Sequence, residues 1–354
     1  MTLLEETIKK IKPLNQEAME QAKKRWSSIA KPLDSLGLLE PALVRIAGIT
    51  GSPKIDLEKK QVLVYCADNG VVEEGVTQTS QDVTAVVTKN LTIGATSVCQ
   101  MAKVAGAQVV PVDVGVAQDL SQVQGLVHKN ICHGTKNFAK GPAMSREEAM
   151  KALEIGIEMA YAAKKQGVGL AATGEMGIGN TTTSSAVAAA LLGQPATMVT
   201  GRGAGLDTAG LRRKVAVIET ALAALKPNPQ DPIDVLSKVG GLDIAAMAGT
   251  FLGGAAAGLP VLIDGFISAV AALVAVKLCP TVQNYLLASH ISKEPAGQMM
   301  MEALGLQPVI HGQMCLGEGT GAVAMMPLLE MAAAVYTNMS TFSQIEIEEY
   351  KPLQ

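Results

Sequence analysis

Along this chain, short uninterrupted apolar runs alternate with longer segments whose apolar positions recur every three to four residues. The run QVLVYCA at 61–67 reads as a buried strand, because it is short and rich in β-branched and aromatic residues. Residues 108–114, 168–173, 259–263 and 284–288 read as strands too. Helical spacing predicts helices over 17–29, 38–49, 81–104, 146–166, 180–192, 211–225, 241–257, 266–278 and 321–337. Pro327 is expected to kink or delay the last of them. Beyond residue 60 the strands alternate with helices, and that order specifies an α/β fold with a parallel, doubly wound sheet and flanking helices. Residues 1–60 and 338–354 are expected to form a small helical domain built from both chain ends, beside a large α/β domain over 61–337.

Residues 244–263 carry no charge and place glycines at GxxxG spacing, Gly249/Gly253 and Gly254/Gly258. One reading is a membrane helix with a dimerisation face. The other is a buried Gly/Ala-rich helix, a turn at 258–260 and a core strand at 261–263. Pro260 and Asp264 interrupt the apolar stretch and no basic flank follows, which favours the second.

Composition narrows the partners. With 29 Lys+Arg against 32 Asp+Glu and 3% aromatics, the chain lacks the cationic surplus and stacking platforms that nucleic acids require. A 48% hydrophobic share allows a large core, and a charged share of 17%, below the roughly 25% of ordinary globular chains, points to extensive burial, a subunit contact included. The five cysteines are widely spaced with no CxxC pair, so a reducing cytoplasm is expected rather than a disulfide framework. Residues 1–10 carry early acids and no apolar core, unlike an ordinary secretory signal.

Ligands of open parallel sheets bind beyond the carboxyl ends of the strands. The residues just after the expected strands are Asp68-Asn69-Gly70, Asp113-Val114-Gly115, the segment 174–182, Asp264-Gly265 and Ser289-His290. Turns favour such residues anyway, so the coincidence of five weighs more than any one. The segment GEMGIGNTT at 174–182 places three glycines before a helix, where free N–H groups and a partial positive charge suit a phosphate. A plain glycine turn with an N-cap gives the same pattern, and no Gly-Lys-Ser/Thr follows to make a Walker loop. A second glycine segment, 201–207, precedes a helix bearing Arg212, Arg213 and Lys214, each a solvated cation or a phosphate ligand. The third, LGEGTG at 316–321, sets Glu318 between glycines, as a general base or as a helix cap. Cys132-His133 are adjacent rather than spaced as ligands, and no GxSxG elbow occurs.

Together these segments resemble one family, the nicotinate-nucleotide:dimethylbenzimidazole phosphoribosyltransferases of cobamide lower-ligand activation. The matching pieces are KPLDSLG at 31–37, ADNGV at 67–71, EGV at 74–76, GPAMS at 141–145 and GEMGIGNTT at 174–182. DVLSKVGG at 234–241, DGF at 264–266, Ser289-His290 and LGEGTG at 316–321 continue them in the same order over nearly the whole chain. The resemblance implies a Rossmann-like catalytic domain that moves phosphoribose from nicotinate mononucleotide to an aromatic base, giving nicotinate and an α-linked nucleotide. It implies Glu318 as general base. It implies a phosphate and ribose site at Gly174, Glu175, Gly177, Ile178, Gly179, Asn180, Thr181 and Lys214. It implies an acceptor pocket of Thr79, Ser80, Val83, Val87, Met176 and Leu316, with Asp68, Asp264, Ser289 and His290 as further candidates. It implies no metal or redox cofactor, and a dimer with active sites near the interface. Asn69 stands where a histidine is common in the family and Val87 where a glutamine is. A more apolar pocket opens alternatives: purines, other benzimidazoles, or phenol and p-cresol acceptors that give O-glycosides, the working unit then pairing two similar subunits. A rival of another class is a non-catalytic subunit that binds a nucleotide.

Overall fold

The computed structural model describes residues 1–350; residues 351–354, the end of the expected C-terminal tail, lie outside the described residues. Six strands form one sheet among the described residues: β1 (Lys60–Ala67), β2 (Ala107–Gly115), β3 (Val127–His128), β4 (Leu170–Met176), β5 (Val261–Ile263) and β6 (Leu286–Ala288). Their order is β3-β2-β1-β4-β5-β6, and every pairing is parallel. Helices cover both faces of such a sheet, so its central strands are buried throughout and read as unbroken apolar runs. All eight residues of β1 are buried. The order reverses between β1 and β4, and a crevice at that switch point is where doubly wound sheets bind ligands.

The charge-free stretch is a buried helix, Leu242–Ala257, followed by β5. Its glycines serve an internal helix crossing. A Cβ at Gly249 would overlap the Leu153 carbonyl, and one at Gly253 would lie 2.9 Å from Ala160 Cβ, both on the Arg146–Lys165 helix. One described helix, Thr320–Asn338, is long and apolar enough to cross a membrane by length and composition, and half of its most apolar window is buried in the fold. Pro327 lies inside that helix without ending it.

The two chain ends meet. Arg25 Nε donates to the Tyr336 carbonyl at 2.8 Å, Trp26 and Tyr336 rings stack edge-on at 5.1 Å, and Ile29 bridges Thr341. The N-terminal helices also share one continuous apolar core with the sheet.

Two expectations are corrected, and one helix is added. The helix expected over 81–104 is two helices, Asp82–Thr92 and Ser97–Ala105, parted where Gly94 takes a φ of 74°. β4 runs on to Met176, so Gly174, Glu175 and Met176 are strand rather than loop; pairing with Val64, Tyr65 and Cys66 of β1 overrides the weak strand preference of glycine. The helix Pro232–Val239 had no counterpart in the periodicity, although Asp231 caps it and Pro232 opens it.

Candidate active site

A cavity of about 180 Å³ opens at the carboxyl edge of the sheet, beyond the ends of β4, β5 and β6. Three backbone segments build it. The first is the turn after β4. Gly177 packs so closely on the Ala67 carbonyl at the end of β1 that a Cβ would overlap it. Gly179 (φ 94°) then opens the helix Asn180–Leu192, and no side chain caps that helix. Its first turn presents Asn180 and Thr181 to the cavity.

Lys214, on the helix Thr208–Leu225, comes up behind this turn. Its side chain is fully buried, and its Nζ donates to Thr181 Oγ1 at 2.8 Å. Burial lowers its pKa to about 8, against the opposing pull of Glu294. Arg212 and Arg213 are exposed, and Arg213 Nε donates to the Gly75 carbonyl. Lys214 itself does not line the cavity; it backs Thr181, so a buried cation stands one side chain behind a helix N-terminus, an arrangement suited to a dianionic phosphate. Gly203, Ser292 and Glu294 also line the cavity.

Beneath it lie two buried acids. Asn180 Nδ2 donates to Glu175 Oε2 and, at 3.0 Å, to Asp243 Oδ2. Burial, and then the nearness of Asp243, push the Glu175 carboxyl well above the usual range. Burial therefore favours the protonated form of Glu175, which lines the cavity.

The second segment, residues 317–319, faces the first across the cavity. Gly317, Glu318 and Gly319 all adopt left-handed backbone, with φ of 91°, 62° and 96°. For Glu318 that conformation costs about 1–3 kcal/mol, and such strain collects at working sites. Gly174 explains how the loop fits: a Cβ there would overlap the Glu318 carbonyl. The Glu318 carboxylate lines the cavity and accepts from the Val98 amide at 3.0 Å. Val98 lies in the first turn of the Ser97–Ala105 helix, whose own Thr96 supplies no cap.

The third segment follows β5 and β6. Asp264 and His290 line the cavity. Burial pushes Asp264 up to about 6 and lowers the pKa of His290. Ser289 Oγ is buried and donates to the Ile263 carbonyl at 2.7 Å, so it holds β6 to β5 rather than facing the cavity.

The structure thus gathers Glu175, Met176, Gly177, Ile178, Asn180 and Thr181 around one cavity, with Leu316, Glu318, Asp264 and His290 on its other walls. Gly174 stays inside β4 and Gly179 behind the turn. Thr79, Ser80, Val83 and Val87 do not line it: Thr79 and Ser80 are exposed before the Asp82–Thr92 helix, and Val83 and Val87 are half-buried along it. That helix touches the site through Thr84, whose Oγ1 accepts from the Ile178 amide at 3.1 Å. Asp68 is buried and accepts from the Ala117 amide at 2.8 Å, so it braces the neighbouring loop. Sequence reasoning missed Asp243, Glu294 and the Val98 amide. Asp243 follows the Gly240-Gly241 pair, and Glu294 sits before a proline; neither pattern by itself announces a site. Among the described residues, no group of three His, Cys, Asp or Glu side chains is arranged to hold a metal ion.

A family model described as phosphoribosyltransferase, DBI_PRT, matches residues 11–347. The chain belongs to that phosphoribosyltransferase family. It is 50% identical over 350 residues to a nicotinate-nucleotide–dimethylbenzimidazole phosphoribosyltransferase of Ruminiclostridium cellulolyticum, covering 99% of both chains. It is 47% identical to the enzyme of that name from Acetivibrio thermocellus, again over 99% of each. Among solved structures it is similar to CobT from Thermus thermophilus, with a TM-score of 0.90 and 42% identity over 94% of this chain and 100% of that one. A phosphoribosyltransferase must hold a 5-phosphate at a fixed distance from C1′. The cavity carries the uncapped start of the Asn180–Leu192 helix, with Lys214 behind its Thr181, and the strained Glu318.

Proposed function

We propose that this protein transfers 5-phosphoribose from nicotinate mononucleotide to dimethylbenzimidazole, releasing nicotinate and an α-ribosyl phosphate for cobamide synthesis. The observation that carries the reading is the pairing, in one cavity, of a phosphate-binding helix end with a glycine-flanked carboxylate.

In this reading the 5′-phosphate sits on the N-terminus of the Asn180–Leu192 helix, beside Thr181 and Lys214. One acceptor nitrogen attacks C1′ from the face opposite nicotinate, and Glu318 takes the proton from the other nitrogen. The C1′–N bond to nicotinate breaks, and its electron pair returns to the pyridine ring. A β-linkage becomes an α-linkage in one displacement. Burial biases Glu175 toward its protonated form, which lessens its repulsion of the carboxylate of the departing nicotinate. The working place is the cytoplasm, in keeping with five unpaired cysteines, and the working unit is a dimer. The phenolic alternative rested on Asn69 and Val87, neither of which lines the cavity, and the relatives' names carry dimethylbenzimidazole.

Incubating the protein with nicotinate mononucleotide and, separately, dimethylbenzimidazole, adenine, phenol and p-cresol tests the proposal by chromatography. Nicotinate release fastest with dimethylbenzimidazole is expected. Faster turnover of a phenol overturns the acceptor assignment, and no release with any acceptor overturns the reaction.

Lys214 adds a pH signature. With a pKa of about 8 it is charged below that value and neutral above it. The kcat/KM for the mononucleotide should therefore fall above pH about 8, approaching tenfold per pH unit. Lys214→Met should flatten that limb. A wild-type profile that stays level well above that pH would remove Lys214 from the phosphate site.

A further inference from the structure

Asp264 directs its carboxylate at the loop that carries Glu318. Oδ1 accepts from the amides of Gly321 at 2.7 Å and Ala322 at 3.0 Å, and Oδ2 accepts from Gly319 at 3.2 Å. Asp264 is 4% exposed. These amides belong to the start of the Thr320–Asn338 helix, whose N-cap residue, Gly319, has no side chain to satisfy them. A carboxylate at the end of β5 takes the place of the missing cap. The substitution has a steric logic. A Cβ at Gly319 would press on Val62 at 2.7 Å, and one at Gly321 would overlap the His290 ring, so the loop packs too tightly to carry its own capping side chain.

The bonds fall immediately C-terminal to Glu318, the one non-glycine residue of a left-handed run of three. The Glu318 carboxylate is held at its other side by the Val98 amide. Gly174 leaves room for the Glu318 carbonyl. Thr320 Oγ1 also donates to the Gly317 carbonyl at 2.8 Å, and the Glu175 carboxyl accepts from the Glu318 amide; Asp264 is the side chain that takes the three amides C-terminal to Glu318.

We propose that Asp264 is the positioning residue for Glu318: it fixes the 317–321 backbone so that the Glu318 carboxylate meets the N–H of the acceptor base. The inference rests on Glu318 acting as general base, and it adds a group that touches no reacting atom. The phosphate end of the cavity is built from other elements, so loss of Asp264 should leave the mononucleotide's anchorage alone.

A double-mutant cycle on the full chain tests this: wild type, Asp264→Asn, Glu318→Gln and the double variant, each checked by circular dichroism and thermal melting. Asp264→Asn keeps the shape but sets an amide N–H against a backbone N–H. It should lower kcat roughly tenfold, as misaimed groups do, with the Kd for nicotinate mononucleotide within about twofold of wild type. In the Glu318→Gln background the same change should cost less than about twofold. An equal loss in both backgrounds, or a parallel loss of mononucleotide affinity, marks a purely structural role and overturns the proposal. Wild-type kcat for Asp264→Asn also overturns it. Should Asp264→Asn fail to fold, Asp264→Glu, which keeps the charge, enters the same cycle with the same criteria. Near-normal turnover by Glu318→Gln alone would overturn the general-base reading itself, a result separate from additivity in the cycle.

Discussion

Glu318→Gln should lower kcat by ~10²–10⁴-fold while leaving the Kd for nicotinate mononucleotide close to its wild-type value. Glutamine keeps the length and shape of the side chain and a carbonyl oxygen to accept from the Val98 amide, now at 3.0 Å. The left-handed backbone at residue 318 is therefore no worse supported than in the parent chain. What disappears is the ability to accept a proton as the acceptor's second nitrogen attacks C1′. The proposed phosphate site, on the 177–181 turn with Lys214 behind Thr181, is not touched. Steady-state kinetics at saturating substrates, with binding calorimetry for the mononucleotide, measure both quantities. A kcat within a few-fold of wild type would show that Glu318 is not the base.

Lys214→Met should act in the opposite way, raising KM for the mononucleotide by ~10–10²-fold with a smaller change in kcat. The range follows from the ~1.5–3 kcal/mol of a hydrogen bond made by a charged group. The lysine is fully buried, so no second cation can swing in from solvent, and Arg212 and Arg213 point away on the exposed side of their helix. Methionine fills the volume and leaves no cavity. The phosphate would then rely on the N-terminus of the Asn180–Leu192 helix and on Thr181 alone. If KM is unchanged, the phosphate binds elsewhere. If kcat falls and KM does not, Lys214 serves the reaction step rather than anchorage.

The sequence made some of this site legible and hid the rest for identifiable reasons. The helices Asn180–Leu192 and Phe266–Leu278 begin and end where their periodicity and glycine boundaries place them. Glu318 was visible because glycines flank it, and the strain at its backbone is what those glycines accommodate. The 174–182 segment was recognised as one loop, but its first three residues pair with β1, a tertiary contact that local pattern does not record. Lys214 could not be told from Arg212 and Arg213 by spacing alone; burial separates them. Asp243 and the Val98 amide reach the site only because the fold brings the Leu242–Ala257 and Ser97–Ala105 helices to the same edge. Thr79, Ser80, Val83 and Val87 entered through resemblance, and the structure leaves them outside the cavity.

The central claim is a single displacement at C1′, with the incoming base and the departing nicotinate on opposite faces of the ribose. The anomeric configuration of the product reports it most directly. Proton NMR of the nucleotide made from nicotinate mononucleotide and dimethylbenzimidazole should show an α-linked ribose and no β-anomer. A β-linked product would mean retention through an intermediate on the enzyme, and would contradict direct attack assisted by Glu318.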